Sequence, residues 1–299
     1  MKKQFAFGNI SAYLFVLPAA VLMAVFIVYP LLSSISLSLT NWSGLGTRAF
    51  VGLENYRKLL QDPIFWNSIR LQFTWSLLSV VFLAMFGLLL ALVVEVFVPF
   101  RMLIPVFRTI LFMPMMMSLV CVGLLWSMIF NPMIGLLNEL LQALGFLGEA
   151  DSLDLLGNPK LALYAVFIPC IWQWSGFGMV IFSAAMQGIP QDIMEAALID
   201  GCGKYRRVRH IILPLLIPNV ATVCTINLIG GLKCFDLIYV MTAGGPGNGT
   251  LVTSILIFRQ AFVNNAHGYS AAVSFILFLL TALFGYVFFS FSKKMEVYV

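Results

Sequence analysis

The sequence predicts an all-α membrane protein with six transmembrane helices, both termini in the cytoplasm, and a short cytoplasmic helix between helices four and five. Three observations carry this expectation. The chain is 61% hydrophobic and only 10% charged, with a mean hydropathy of +1.00, whereas soluble domains run near a quarter charged. Six apolar segments, near 11–36, 71–97, 103–129, 161–187, 209–232 and 269–292, are each long enough for a hydrocarbon core of about 30 Å. Uninterrupted apolar runs such as 76–94 exclude the alternation of barrel strands, and only helices and closed barrels satisfy their own backbone in lipid.

Orientation follows from Lys and Arg near the helix ends. With the N-terminus inside, Lys2, Lys3, Arg101, Arg108, Lys204, Arg206, Arg207, Arg209, Lys293 and Lys294 fall on inner faces. The outer loops hold Arg48, Arg57, Lys58, Arg70, Lys160, Lys233 and Arg259, spread over longer stretches. The apolar run after Lys2-Lys3 is longer than a signal-peptide core, so the first helix reads as uncleaved. The whole chain, 1–299, reads as one membrane domain: a first helix near 11–36, core helices within 71–292 and a loop at 188–210.

Cys121, Cys170, Cys202, Cys224 and Cys234 fall mostly inside helices and form no CxxC pair, as expected of small apolar packing residues. His210 and His267 stand far apart without ligand spacing, so no metal site is expected. In the first outer loop, Leu53, Tyr56, Leu59 and Leu60 recur at helical spacing and predict a short surface helix that ends near Pro63. The second outer loop offers a similar piece at 134–144, followed by an acidic, Gly-containing stretch at 148–158. These pieces could cap the outer mouth or settle on headgroups. Pro214 and Pro218 remove backbone donors and predict a bend in the inner half of the fifth helix.

The loop before that helix is the most informative segment. Ile189-Pro190-Gln191-Asp192 reads as a helix start, with Asp192 and Glu195 favoured by the N-terminal dipole. Ile193, Met194, Ala197 and Leu198 form an apolar face, and Gly201 is a natural stop. Ala196 and Ala197 permit close approach of another surface, with Glu195 and Asp200 as polar contacts at either end. The basic residues beyond would also suit anionic lipid.

The run Glu195-Ala196-Ala197, then Gly201, then Ile211-Ile212-Leu213-Pro214 resembles the loop signature of permease subunits of binding-protein-dependent ABC importers. The chain is similar to their carbohydrate branch (the MetI-like transmembrane domain family) along most of its length. Carrying this are 52–56 with Asp62-Pro63, Asn131-Pro132 with Gly135-Leu136-Leu137-Asn138, and 172–189. It continues through 195–218, 233–247, Ala261-Phe262 and Gly268-Tyr269-Ser270-Ala271-Ala272. Cys202 and Tyr205 depart mildly from the pattern, which often has Ala after the loop's Asp-Gly and an aromatic residue three positions on.

The resemblance implies a multi-pass subunit of a bacterial or archaeal cell (inner) membrane. It implies a second related permease, two cytoplasmic ATP-binding subunits, an extracytoplasmic solute-binding protein, a sugar substrate and the lipid bilayer as partners, with no nucleic acid. Glu195, Ala196, Ala197, Asp200 and Gly201 match the motif that couples the ATPase to the membrane helices. No GxxxxGK[ST] occurs, so no cofactor is expected in this chain, and ATP with Mg belongs to partner subunits. The chain is therefore expected to be a transport subunit and not itself an enzyme.

A sugar needs amides, hydroxyls and aromatic planes along its path. Trp172, Gln173, Trp174 and Phe177 in helix four, Asn227 in helix five, and Lys233 and Asp236 at its outer end are the candidates. Asn219, Thr222 and Thr225 could equally hold helices together, and Gly230-Gly231 permits close approach of helix or ligand. Two alternatives keep the membrane architecture. One is import of glycerol phosphate or another small polar solute by the same machinery. The other, an ion-coupled secondary transporter, sits poorly with segment centres that lack Asp, Glu and His. A membrane enzyme finds no HExxH, catalytic Ser/His/Asp set or metal cluster in the sequence.

Overall fold

The structure, a computed structural model, describes residues 4–148 and 151–296. Lys2 and Lys3, the side chains of Lys293 and Lys294, and Glu149 and Ala150 of the acidic stretch lie outside that description. Among the described residues the chain is helical, with one isolated antiparallel bridge between Thr40 and Phe50 and no strand.

The helices are, in order, α1 (Tyr13–Ser38), α2 (Glu54–Gln61), α3 (Pro63–Phe97), α4 (Arg101–Met116), α5 (Leu119–Ile129), α6 (Leu136–Ala143) and α7 (Ala162–Gln187). They continue with α8 (Gln191–Ile199), α9 (Lys204–Leu215), α10 (Ile217–Leu232), α11 (Asp236–Thr242), α12 (Thr253–Val263) and α13 (His267–Glu296). Four helices are continuous and apolar enough to span a bilayer: α1, α3, α7 and the His267–Ser290 part of α13. Two further apolar pairs are bent, α4 with α5 at 94° and α9 with α10 at 63°. Counting each bent pair as one span gives six, the number the sequence predicts.

The bend of the fifth span falls where its prolines place it. Leu216 separates α9 from α10, between Pro214 and Pro218, neither of which can donate to the preceding turn. The bend in the third span departs from the expected straight helix. Around Pro114 the last turn of α4 tightens to 3₁₀, Met117 and Ser118 are extended, and α5 then starts in a new direction. The second span is also longer than the 71–97 expected. Pro63 occupies a first helical position directly after Asp62, and the first turns of α3 are carried by buried Phe65, Ser68 and Ile69.

The chain divides into two compact units, Met1–Asp62 with Ile257–Phe278, and Pro63–Leu256 with Leu279–Val299. In the first, α2 is tied by polar groups. The Asn55 amide donates to the carbonyls of Ser38 and Thr40, both at 2.8 Å. The Tyr269 hydroxyl donates to Asp62 Oδ2 at 2.7 Å, and a Cβ on Gly268 would overlap the Thr40 carbonyl. Along α1 the most hydrophobic stretch is fully exposed, as a lipid-facing or partner-facing span requires.

The second unit is built on close helix crossings. A Cβ on Gly87 of α3 would lie 2.9 Å from the backbone of Gly178 on α7, so only glycine allows this approach. Ala84, Ala91, Val94, Met179, Phe182 and Val223 pack around that crossing. On α7, a side chain at Gly176 would overlap the Leu111 carbonyl of α4.

Candidate functional site

The polar loop folds as its residues direct. α8 is nine residues long, with Pro190 at its N-cap and Asp192 in its first turn. It ends at Gly201, whose φ of +68° is a left-handed turn that side chains rarely adopt. Gly201 N–H donates to the Leu198 carbonyl at 3.1 Å and Cys202 N–H to the Ala197 carbonyl at 2.9 Å, closing the last turn. Glu195, Ala196, Asp200 and Gly201 are exposed, and Ile199 is 87% exposed. Ala197 is turned inward and buried, and Met194 is half-buried, while Ile193 and Leu198 of the expected apolar face stay exposed.

Beneath α8 lies a second apolar cluster. Val208, Ile212 and Leu216 of the following segment are buried against Leu88 and Leu92 of α3, Ala185 and Met186 of α7, and Met194 of α8 itself. The loop helix is thus rooted in the same helices that form the bundle. Its exposed surface is apolar and charged at once, and nothing among the described residues covers it.

A cavity of about 380 Å³ opens between α3, α7 and α10, within the size range of small-molecule sites. Its walls include Trp75, Ser79 and Leu83 of α3, Cys170 and Trp174 of α7, Leu119 at the start of α5, and Asn227 and Gly230 of α10. Lys233, Phe235 and Asp236 line it as well. Ser79–Leu83 is a π-helical turn, and Ser79 and Leu83 both line the cavity. Asn227 lines the cavity, and its Nδ2 is buried with no hydrogen-bond partner among the described residues.

Of the seven pathway candidates, Trp174, Asn227, Lys233 and Asp236 line this cavity, and Trp172, Gln173 and Phe177 do not. Trp172 packs against Trp126 with ring centroids 6.0 Å apart. Phe177 stands edge-on to Trp174 at 6.3 Å. Gln173 is 2% exposed and donates to the Met117 carbonyl. Thr222 and Thr225 bond to carbonyls of their own helix, Pro218 and Ala221. Gly231 meets α3 at the backbone of Ser76 and its carbonyl accepts from Gln72 at 2.8 Å, whereas Gly230 faces open space. Sequence reading missed Trp75, Ser79 and Phe235. The first two are four residues apart on one helical face, a usable signal, and Phe235 lies between two residues already chosen.

The family described as binding-protein-dependent transport system inner membrane component matches residues 84–297. The chain is 36% identical to a probable ABC transporter permease protein of Pyrococcus horikoshii, covering 89% of this chain and 90% of that protein. It is 33% identical to the trehalose/maltose transport system permease protein MalF of Thermococcus litoralis (92% and 91% covered). To the lactose transport system permease protein LacF of Rhizobium radiobacter it is 32% identical, with 93% of each covered. Among solved structures, a chain of a bacterial ABC transporter involved in import of the acidic polysaccharide alginate superposes with a TM-score of 0.83 at 22% identity, covering 96% of each chain. A chain of the MetNI methionine ABC transporter gives 0.56 at 15% identity, covering 78% of this chain and 98% of that one. These likenesses show a shared fold.

Proposed function

Because this chain belongs to the family of binding-protein-dependent transport inner membrane components, we propose that it is a permease subunit of an ATP-driven importer of sugars or oligosaccharides. It forms the path with a second, related permease. Two cytoplasmic subunits bind ATP with Mg, and an extracytoplasmic binding protein delivers the solute. This chain supplies no ATP site of its own.

The observation that carries the reading is the continuity between α8 and the cavity. The root of α8 packs on Leu88 and Leu92 of α3, and about one to four turns away the same helix presents Ser79 and Leu83 to the cavity. With 188–210 on the cytoplasmic side, ATP-bound closure of the motor subunits carries α8 with it. The helices that meet at its root then change the access of the cavity. Solute is moved because the two states bind it differently and ATP selects between them.

Sugar as the solute is supported by the wall chemistry. Trp75, Trp174 and Phe235 offer planes for apolar ring faces, and Ser79 and Asn227 offer groups for hydroxyls. The relatives named for lactose and for trehalose/maltose agree with that chemistry. A phosphate-bearing solute is the second reading, favoured by Lys233 in the wall and opposed by Asp236 beside it.

The test is uptake of radiolabelled disaccharides and of glycerol phosphate into proteoliposomes holding the reconstituted complex. ATP-dependent disaccharide uptake that survives collapse of ion gradients is the expected result. Uptake that follows a proton or sodium gradient without ATP would overturn the reading.

A further inference from the structure

Arg108, midway along α4, meets residues from the last turns of α3 and α7. Its Nε and Nη2 donate to Glu95 Oε1, near the end of α3, at 2.8 and 2.6 Å. With the Gln187 amide oriented to satisfy its neighbours, its side-chain oxygen accepts from Arg108 Nη1 at 3.0 Å and also from Nη2. Gln187 is the last residue of α7, just ahead of the loop that carries α8. The pair is largely withdrawn from solvent, with side chains 30% exposed for Arg108 and 12% for Glu95.

Such a pair contributes little net stability, because desolvation offsets most of the attraction; its best attested use is to fix one arrangement over another. What it fixes here is specific. The middle of α4 is held by Arg108 to α3 and to the stem of α8. Its C-terminal end runs into the break at Met117, held by Gln173, and the next helix begins with Leu119 in the cavity wall. We infer that Arg108, gripped by Glu95 and Gln187, is a positioning residue that passes displacement of the α8 stem into α4 and so to the cavity wall.

The fork geometry of arginine is needed for this. A guanidinium reaches two acceptors in fixed directions, while a lysine ammonium is a point charge that cannot hold both in register. The inference rests on the reading of α8 as the motor-driven loop, and its test separates the two. In reconstituted complexes, solute imported per ATP hydrolysed is measured for Glu95→Gln, Arg108→Lys and the exchanged pair Glu95→Arg with Arg108→Glu. Contact of α8 with the ATP-binding subunit is followed in the same complexes by a cross-link from Ala196→Cys.

Glu95→Gln is expected to keep the cross-link and to continue hydrolysing ATP, with the ratio lowered by about tenfold, the size of a typical coupling between sites. Arg108→Lys is expected to fall between, and the exchanged pair to recover most of the ratio. An unchanged ratio in Glu95→Gln with the cross-link intact overturns the relay and leaves the loop reading standing. So does an exchanged pair that couples no better than Glu95→Gln. Absence of the cross-link when Glu95 and Arg108 are unaltered overturns both.

Discussion

The side-chain amide of Gln173 donates a 2.9 Å hydrogen bond to the main-chain carbonyl of Met117, 56 positions earlier in the chain. Met117 sits in the 94° break between α4 and α5, where the helical ladder is interrupted. A carbonyl freed inside a membrane protein must find a partner within the protein. Gln173 supplies it, and Gly176 one turn further on lets α4 approach closely enough for the bond to form.

Gln173→Leu is expected to destabilise the protein by about 1–3 kcal/mol, the cost of leaving a buried acceptor unmatched. Because Gln173 is not among the residues lining the cavity, the maximal uptake rate should fall while the half-saturating solute concentration stays put. Thermal unfolding in detergent and uptake titrations check both parts.

Asn227→Leu and Trp174→Ala remove cavity wall groups without touching the α8 root. Each is expected to weaken uptake by about tenfold, since one hydrogen bond or stacking face is worth on the order of 1–1.5 kcal/mol. Cross-linking of α8 to the ATP-binding subunit should be unchanged. Loss of folding in both variants, seen by size-exclusion chromatography, would remove them from the pathway.

Adjacent glycines on α10 should respond in opposite ways. A Cβ at Gly231 would lie 2.8 Å from Ser76 Cα on α3, whereas nothing lies within 4 Å of one at Gly230. Gly231→Ala is expected to cost about 1–3 kcal/mol by forcing the helices apart. Gly230→Ala is expected to be neutral or stabilising by about 0.5–1 kcal/mol through helix propensity. Melting temperatures of the two purified variants decide it.

At Gly201 the demand is conformational, because the surrounding space is open. Gly201→Ala should cost about 1–2 kcal/mol locally through the left-handed φ, and Gly201→Asn, which tolerates that region, much less. Gly201→Asp meets open space, bears the same left-handed φ, and places a carboxylate on the surface proposed to meet the ATP-binding subunit. Membrane insertion should persist while solute-stimulated ATP hydrolysis is lost, as read by fractionation and phosphate release.

The spans, the short outer helices, the α8 loop and the bend at Pro214 and Pro218 were legible because local signals specify them. Apolar run length, helix caps and proline act within a few residues. The break at Met117 was not read, although Pro114 stands three residues before it: 109–129 carries no charge, and the group that satisfies the break comes from α7. For the same reason Gln173 read as a pathway residue: a lone amide in an apolar helix announces that it has a partner, not which one. Lys233 and Asp236 were found by their charge at a helix end. Trp75 and Ser79 share one face of α3, a spacing that also fits ordinary helix packing, so the pattern alone did not single them out as cavity residues.

The central claim is that force from ATP-binding subunits enters through α8. It is tested most directly by disulfide trapping between Ala196→Cys, with Cys202 replaced by Ser, and single cysteines on the ATP-binding subunit, with and without nucleotide. The account predicts a cross-link from the cytoplasmic side that forms in the assembled complex and blocks uptake until reduced. Labelling of Ala196→Cys only from the outside, or uptake that proceeds at full rate with the cross-link in place, would contradict it.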